Sequence, residues 1–178
     1  MAGCGVNVLL LGPGRNRTRM NGDNFGDDPT EKLTVIDHDH RVFSEWPDAN
    51  CITIDLSQPP FPMLSDSFFH EVHAYEILNL LTGDERSFFA FWREIWRVMV
   101  PSGRLLASVP HWQSQWIYAW PAPQRTYTPG LLMYLDQDDH SSAAKADFSE
   151  LWPRPYNFKS HTTSIWNGGG LFIGMTKS

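Results

Sequence analysis

Apolar residues in the first third of the chain come in short runs that polar or turn-forming residues interrupt. Val6–Leu11 is apolar except for one asparagine, and Gly-Pro-Gly follows it at residues 12–14. Residues 33–37 and 51–55 are two further runs, and each ends in an aspartate. Continuous apolar runs of this length bounded by turn signals are typical of buried parallel strands. The pattern therefore predicts three such strands.

The stretch between the first two runs has no such pattern. Residues 15–31 are rich in Arg, Asn, Asp and Gly, with Met20 and Phe25 as their large apolar residues. Polar clusters with glycine between periodic segments are typical of loops, so we expect a loop here and no helix.

The middle of the chain predicts a strand, a helix and a second strand. Residues 69–75 mix polar and apolar positions and predict a fourth strand. In residues 85–99, large apolar side chains recur at three- and four-residue spacing, which predicts an amphipathic helix. Pro-Ser-Gly at 101–103 ends the helix, and residues 104–109 predict a fifth strand. This order implies a right-handed parallel crossover.

The last third is irregular before it becomes strand-like again. Residues 111–155 combine aromatic, proline and acidic clusters, which we interpret as an aromatic insertion or lid. Residues 158–166 and 171–176 are separated by Asn-Gly-Gly-Gly and predict a closing hairpin. No linker divides residues 1–178, so we expect one α/β domain whose sheet is mostly parallel with a C-terminal antiparallel hairpin.

Charge and hydropathy exclude several function classes. With 20 acidic and 14 basic residues the net charge is −6, so a general attraction for nucleic acid is not indicated. A local basic patch is limited to Arg15, Arg17 and Arg19. No apolar run reaches the roughly 20 residues that cross a bilayer, and the start of the chain lacks the features of a secretory signal, so we expect no membrane association.

The two cysteines favour a reducing compartment. Cys4 and Cys51 form neither a disulfide framework nor a paired metal spacing. We therefore expect a cytoplasmic location.

Glycines and acids follow the first three predicted strands. Gly12 and Gly14 follow the first, Asp37 ends the second and Asp55 ends the third. Open parallel sheets bind ligands at strand carboxyl ends, near the point where strand order reverses. The alternative is an ordinary tight turn, but the matching aspartates favour a ligand site. Arg17 stands at the third glycine position of the dinucleotide motif, which disfavours a nicotinamide cofactor.

This order of features resembles class I S-adenosylmethionine-dependent methyltransferases from Val6 to about Trp112. The motifs that carry the resemblance are the turn at 11–14, Asp37, residues 55–56, residues 60–78, the helix segment 91–98 and the turn at 100–105. It implies a Rossmann-like sheet and methyl transfer from S-adenosylmethionine to an acceptor, releasing S-adenosylhomocysteine. The short, divergent chain also resembles methyltransferase-like proteins carried by bacteriophages, which would place it in the host cytoplasm.

The resemblance also implies roles for residues near the strand ends. The candidate cofactor-binding residues are Gly12, Pro13, Gly14, Asp37, His38, Asp55, Leu56 and Tyr75. The Gly12 and Gly14 backbone would approach the methionine part of the cofactor. Asp37 would accept hydrogen bonds from the ribose hydroxyls, and Asp55 and Leu56 would face the adenine. Tyr75 would lie near the transferred methyl.

Three residues are candidate catalytic groups. Tyr75, Glu76 and His111 follow the fourth and fifth strands and would open onto the cofactor cleft, where any of them could act as a general base. Because the sulfonium is already a good leaving group, alignment and desolvation can suffice unless the nucleophile is protonated. The alternative for His111 is that it caps the sheet edge.

The chain departs from the family pattern at its amino-terminal motif. Leu10 stands where the family has an acid that pairs with the cofactor's ammonium. Asn16 stands at the third glycine position of the methyltransferase pattern, and the helix that normally follows in that family is reduced or missing. His70 replaces an acid common in the fourth strand.

Two other clusters have more ordinary explanations. Residues 37–40, Asp-His-Asp-His, carry zinc-ligand chemistry, but alternating residues of an extended chain point to opposite sides, so we expect a solvated loop and no metal. Trp112, Trp116 and Trp120 could form a substrate platform or could pack a lid on the sheet.

The acceptor cannot be derived from the sequence. Residues 74–77 carry no Asn-Pro-Pro-Tyr motif, which disfavours methylation of exocyclic amines in DNA. The main alternative is a non-catalytic methyltransferase-like binding or assembly protein that has lost cofactor binding. A metal-dependent hydrolase is the third possibility, and the oligomeric state stays open.

Overall fold

The computed structural model describes residues 5–119, 121, 124–137, 148–153, 156–165 and 170–178. Within these residues, one sheet has the strand order β3-β2-β1-β4-β5-β7-β6. The strands are β1 (Val6–Leu11), β2 (Glu31–Asp37), β3 (Asn50–Thr53), β4 (Phe69–Tyr75), β5 (Met99–Pro110), β6 (Phe158–Ile165) and β7 (Gly170–Lys177). Strands β1 to β5 are parallel to one another, and β7 runs antiparallel between β5 and β6. The predicted mixed sheet and closing hairpin are confirmed.

The strand order reverses between β1 and β4. The chain builds β2 and β3 on one side of β1 and then returns to build β4 and β5 on the other. The register pairs Leu11 with Ile36, and the Gly12 N–H donates to the Ile36 carbonyl at 2.8 Å. The turn after β1 therefore lies beside the carboxyl end of β2, at the reversal point where open sheets bind ligands.

One amphipathic helix, α1 (Glu85–Val98), covers one face of the sheet. Asp84 is the N-cap of this helix, because its side chain accepts a hydrogen bond from the Ser87 N–H at 2.9 Å. The apolar side of α1 packs in the same core cluster as Leu9 and Leu11 of β1; the buried residues of the helix are Phe88, Phe89, Phe91, Trp92, Ile95 and Val98.

The opposite face carries no α-helix in residues 12–68. Residues 15–31, all of them described, form no helix, as predicted, and Phe25 inserts from this loop against Val8 and Leu10. A 3₁₀ helix at His40–Glu45 leads to Trp46, which is buried in the same cluster. On this face, the two large aromatic side chains Phe25 and Trp46 cover β1 in place of a helix.

Two predicted boundaries differ from the structure. Strand β3 ends at Thr53, so Asp55 lies in the loop that follows rather than at the strand end. Strand β5 begins at Met99, and Pro-Ser-Gly at 101–103 lies inside it as an irregularity, because the register against β4 shifts between Phe69 and Glu71. A bulge accommodates these residues without ending the strand.

The segment after β5 is irregular with short helices, α2 (Trp116–Ala119) and α3 (Pro129–Leu132), followed by a 3₁₀ turn at Met133–Leu135. Its Tyr127, Leu132 and Trp152 are buried in the cluster around α1. Trp120 and most of the predicted turn at 167–170 lie outside the described residues, as does Cys4. The lid interpretation stays a prediction. Among the described residues, no helix has the length and apolar character needed to cross a membrane.

Candidate cofactor site

The turn after β1 holds two glycines in left-handed conformations. Gly12 has φ +52° and Gly14 has φ +57°, a region that favours glycine. A Cβ on Gly12 would meet the Ile77 side chain at 2.8 Å, whereas a Cβ on Gly14 would meet no atom within 4 Å. The first glycine therefore permits close packing, and the second borders open space.

Asp37 connects the turns that follow β1 and β2. The residue is 5% exposed, and its Oδ2 accepts a hydrogen bond from the Gly14 N–H at 3.2 Å. Its Oδ1 accepts from the Asp39 N–H at 2.9 Å and lies 3.3 Å from Nδ1 of His38, whose side chain is exposed. A carboxylate has about four acceptor positions, so Asp37 retains capacity for hydroxyl donors.

Asp55 supplies a second carboxylate that lines the same cleft as Asp37. It accepts hydrogen bonds from the Ser57 N–H at 2.9 Å, the Ser57 hydroxyl at 2.6 Å and Nε2 of Gln58 at 2.7 Å. The Ser57 hydrogen bonds lower the pKa of Asp55, so the group is anionic at neutral pH.

The two aspartates border a cleft of about 480 Å³ at the carboxyl ends of β1, β2 and β3. We call it the nucleoside cleft, because it combines carboxylates that accept from hydroxyls and amines with apolar walls suited to a flat ring. Gly12, Gly14, His38, Leu56 and Glu76 also line it. Its apolar walls include residues that the sequence analysis did not select: Val42, Ile54, Ile77, Leu80 and Leu81.

A second, smaller cavity of about 240 Å³ lies next to the nucleoside cleft, and Glu76 lines both. We call it the aromatic cavity; its lining residues are Leu10, Leu11, Pro13, Asn16, Phe25, His73, Tyr75 and Glu76. Pro13 and Tyr75, predicted at the cofactor, line this cavity, whereas the nucleoside cleft is lined by the other predicted cofactor-binding residues.

Glu76, which lines both spaces, has a left-handed backbone conformation with φ +55°. Its Oε1 accepts a hydrogen bond from the Ser108 hydroxyl at 2.9 Å. Burial raises the pKa of Glu76. Of the other two predicted bases, Tyr75 lines the aromatic cavity and His111 lines neither space.

The Tyr75 hydroxyl lies 2.7 Å from Nδ1 of His73, whose Nε2 is 3.2 Å from Glu71. If Glu71 accepts from Nε2, Nδ1 is the acceptor for the Tyr75 hydroxyl. Burial raises the pKa of Tyr75 to about 12 and lowers that of His73, so both groups are neutral at neutral pH. Glu71, His73 and Tyr75 alternate along β4 and so share one face, a period-two signal that the sequence contained.

His111 is buried beside Trp112 and lines neither of these two spaces. Its Nδ1 accepts a hydrogen bond from the Gln113 N–H at 3.2 Å, and its ring centroid is 3.8 Å from that of Trp112. Its catalytic role stays a prediction.

The four residues of the Asp-His-Asp-His segment do not converge. Asp39 pairs with Arg41 at 2.8 Å, and His38 extends into solvent. Within the described part of the chain, no three His, Cys, Asp or Glu side chains are arranged to hold a metal ion.

Solved structures share this architecture, although no protein-family model and no curated protein matches the sequence. A methyltransferase dependent on S-adenosylmethionine (SAM) from Aquifex aeolicus has a TM-score of 0.60 and 11% identity, covering 99% of this chain and 85% of its own. A SAM-dependent methyltransferase from Mesorhizobium loti has a TM-score of 0.63 and 10% identity. The match covers 97% of this chain and 91% of the Mesorhizobium loti chain. The N-methyltransferase NodS from Bradyrhizobium japonicum, in complex with S-adenosyl-L-homocysteine, has a TM-score of 0.56 and 13% identity. The match covers 99% of this chain and 80% of NodS. The chain therefore has the fold of class I SAM-dependent methyltransferases.

Proposed function

We propose that this protein transfers a methyl group from S-adenosylmethionine to an acceptor that the sequence does not identify. The observation that carries the proposal is the nucleoside cleft, where Asp37 and Asp55 face an open space beside Gly14 at the point of strand reversal. The fold is that of known SAM-dependent methyltransferases, and NodS holds S-adenosyl-L-homocysteine.

The residues of the nucleoside cleft fit the nucleoside part of this cofactor. Asp37 would accept hydrogen bonds from ribose hydroxyls, and Asp55 would accept from the adenine amino group. Ile54, Leu56 and Leu81 would contact the adenine ring. The bound cofactor supplies an electrophilic methyl group on a sulfonium. The protein's own contribution is to fix the ligand on one side and to exclude water with the apolar walls.

Among the three candidate bases, Glu76 is the one that lines the nucleoside cleft. Because partial desolvation raises its pKa, its carboxylate is a stronger proton acceptor than an ordinary glutamate. The Tyr75 hydroxyl lies 2.7 Å from Nδ1 of His73 and stays protonated near neutral pH, so Tyr75 is better suited to position neighbouring groups.

One observation favours the alternative of a non-catalytic binding or assembly protein. Leu10 is 1% exposed and packs among Val8, Phe25 and Trp46, so its position supplies no acid for a cofactor's ammonium. A chain that had lost cofactor binding would show the same apolar substitution.

Calorimetric titration of the folded protein with S-adenosylmethionine and S-adenosylhomocysteine separates the two functions. We expect both ligands to bind, and Asp37→Ala to weaken binding by about 10- to 100-fold, because hydrogen bonds to a charged group contribute roughly 1.5 to 3 kcal/mol. Asp48→Ala removes an exposed acid outside the nucleoside cleft and is the control, which we expect to bind as the wild type does. Absence of binding by folded wild-type protein would overturn the enzyme proposal and support the alternative.

A further inference from the structure

The loop after β4 carries part of the apolar wall of the nucleoside cleft. Ile77, Leu80 and Leu81 line the cleft from this loop, and Leu80 is 38% exposed. Leu78 anchors the loop in the main core, whereas Ile77 and Leu81 are only partly buried against that core. A segment with so few buried apolar contacts opens at low free energy unless other contacts hold it.

Two residues from the segment after β5 hold this loop from outside the cleft. We call Gln124 and Arg125 the strap. The Arg125 N–H donates to the Asn79 carbonyl at 2.7 Å, and Nδ2 of Asn79 donates to Oε1 of Gln124 at 2.8 Å. Asn79 is buried, so water competes little for these hydrogen bonds. Neither residue of the strap lines the nucleoside cleft.

The Arg125 side chain extends these contacts along the loop to the start of α1. Its Nη2 donates to the Gly83 carbonyl at 2.6 Å and to the Asp84 carbonyl at 3.3 Å, and its Nε donates to the Leu81 carbonyl at 3.4 Å. A planar guanidinium serves several acceptors in fixed directions at once. One side chain therefore fixes the carbonyls of residues 81, 83 and 84 relative to one another.

Electrostatics make Arg125 a poor contributor to the stability of α1. A helix N-terminus carries a partial positive charge, so a cation beside it is unfavourable, and Asp84 already caps this helix. Among the described residues, no carboxylate forms an ion pair with Arg125. Its acceptors are carbonyls of the loop, which indicates that the loop is what the side chain positions.

We propose that Arg125 is a positioning residue for the nucleoside cleft: it fixes the loop after β4 so that Leu80 and Leu81 form a wall for the adenine ring. The inference rests on the proposed function, because the wall acts only when a nucleoside binds. The strap also couples the segment after β5 to the cofactor. A ligand that packs on the wall stabilises the strap, and by linkage the strap strengthens ligand binding to the same extent.

Calorimetry with S-adenosylhomocysteine tests the wall. We expect Arg125→Ala to bind it about 5- to 20-fold more weakly than wild type does, within the range by which residues without ligand contact alter affinity. Adenosine, which lacks the amino-acid end, should lose affinity by the same factor, because the wall contacts the nucleoside. Arg86→Ala is the matched control, since it removes an exposed arginine of α1 and should bind as the wild type does.

Rescue distinguishes positioning from a general effect on folding. Arg125→Lys should bind more tightly than Arg125→Ala but more weakly than wild type, because an ammonium cannot reproduce the planar fork. Added guanidinium at about 20 mM should restore most of the affinity of Arg125→Ala by occupying the place of the side chain. It should not restore Asp37→Ala, whose loss lies in the cleft itself, and sodium chloride at the same concentration should restore neither variant.

Hydrogen exchange read by mass spectrometry tests the coupling. S-Adenosylhomocysteine should increase the protection of residues 124–127 in wild-type protein, although these residues lie outside the cleft. In Arg125→Ala, residues 77–84 should lose protection while α1 retains it. Absence of the ligand-induced protection at 124–127 would overturn the coupling.

Two results would overturn the positioning role while the proposed function stands. One is that folded Arg125→Ala binds both ligands as tightly as wild type does. The other is a loss of affinity that neither lysine nor guanidinium reverses, because Arg125 would then serve the fold alone. Failure of wild-type protein to bind either ligand would overturn the proposed function and the inference together.

Discussion

At the scale of single residues, the two glycines after β1 have the same backbone conformation but different surroundings. Both adopt positive φ, so each imposes the same backbone cost on a side chain. Gly12 is packed against Ile77, whereas Gly14 borders the nucleoside cleft and donates its N–H to Asp37. Substitution should therefore separate stability from binding.

We expect Gly12→Ala to destabilise the protein more than Gly14→Ala. Alanine at a left-handed position costs about 1 to 2 kcal/mol at either site, and the contact with Ile77 adds about 1 kcal/mol or more at Gly12. Urea unfolding of the two variants measures the difference. In an Ile77→Ala background the extra cost of Gly12→Ala should disappear; if it persists, packing against Ile77 is not its cause.

The residue scale also shows which parts of the site the sequence could reveal. Asp37 was predictable, because it ends an apolar run that reads as a parallel strand. The contribution of Glu76 was less accessible, since it depends on a left-handed backbone and on Ser108 from the neighbouring strand. The position of His111 beside Trp112 depends on how the chain turns after β5, which no periodic pattern encodes.

At the scale of elements, strand β4 anchors the helix-free loop to the sheet. Glu71 accepts from Arg19 of the loop, from Arg104 of β5 and from His73. Hydrogen bonding from His73, together with Arg104, lowers the pKa of Glu71 to about 2. A loop with few apolar side chains is thus held by an ion-pair network as well as by Phe25.

This network predicts a loss of stability on acidification. Burial lowers the pKa of His73 below its ordinary 6.5, so the unfolded chain takes up that proton first and stability begins to fall below about pH 6.5. The contribution of Glu71 is complete above its ordinary pKa of 4.5 and is lost as the pH falls toward about 2. Thermal unfolding between pH 8 and pH 3 measures both.

Glu71→Gln tests the carboxylate directly. We expect it to cost about 1 to 3 kcal/mol at pH 7, because donors from Arg19 and Arg104 lose a charged acceptor. The difference in Tm from wild type should shrink as the pH approaches 3. Asp27→Asn, at an exposed position of the same loop, should have no comparable effect. A difference that is independent of pH would rule out ionisation of Glu71 as its origin.

An element could be predicted when the pattern that forms it is local in the sequence, and was missed when it depends on contacts with distant residues. The apolar spacing of α1 and the runs of β1 and β2 are local, so the sequence revealed them. The start of β5 was predicted too late, because the bulge at 101–103 exists only through pairing with β4. The arrangement of residues 15–31 rests on contacts distant in sequence, such as Arg19 with Glu71.

At the scale of the whole molecule, the two faces of the sheet are covered differently. The face of α1 forms an extensive core that includes the helix, β7 and residues after β5, such as Trp92, Ile173 and Trp152. The other core cluster is small, and Phe25 and Trp46 are its large buried side chains. Regions with few buried apolar contacts open locally at lower free energy than the global core. We therefore expect the face that bears the aromatic cavity to open separately.

Trp92→Ala and Phe25→Ala test this difference, because both side chains are almost fully buried. Trp92→Ala removes a ring from the main core and should lower the free energy of global unfolding by about 3 to 5 kcal/mol. Phe25→Ala should cost less than about 2 kcal/mol globally, since the loop can detach while the core persists. Hydrogen exchange read by mass spectrometry should show protection lost in residues 15–31 but retained in α1. Equal loss of protection in both segments would mean that the two faces unfold as one unit and that the aromatic cavity forms only with the complete fold.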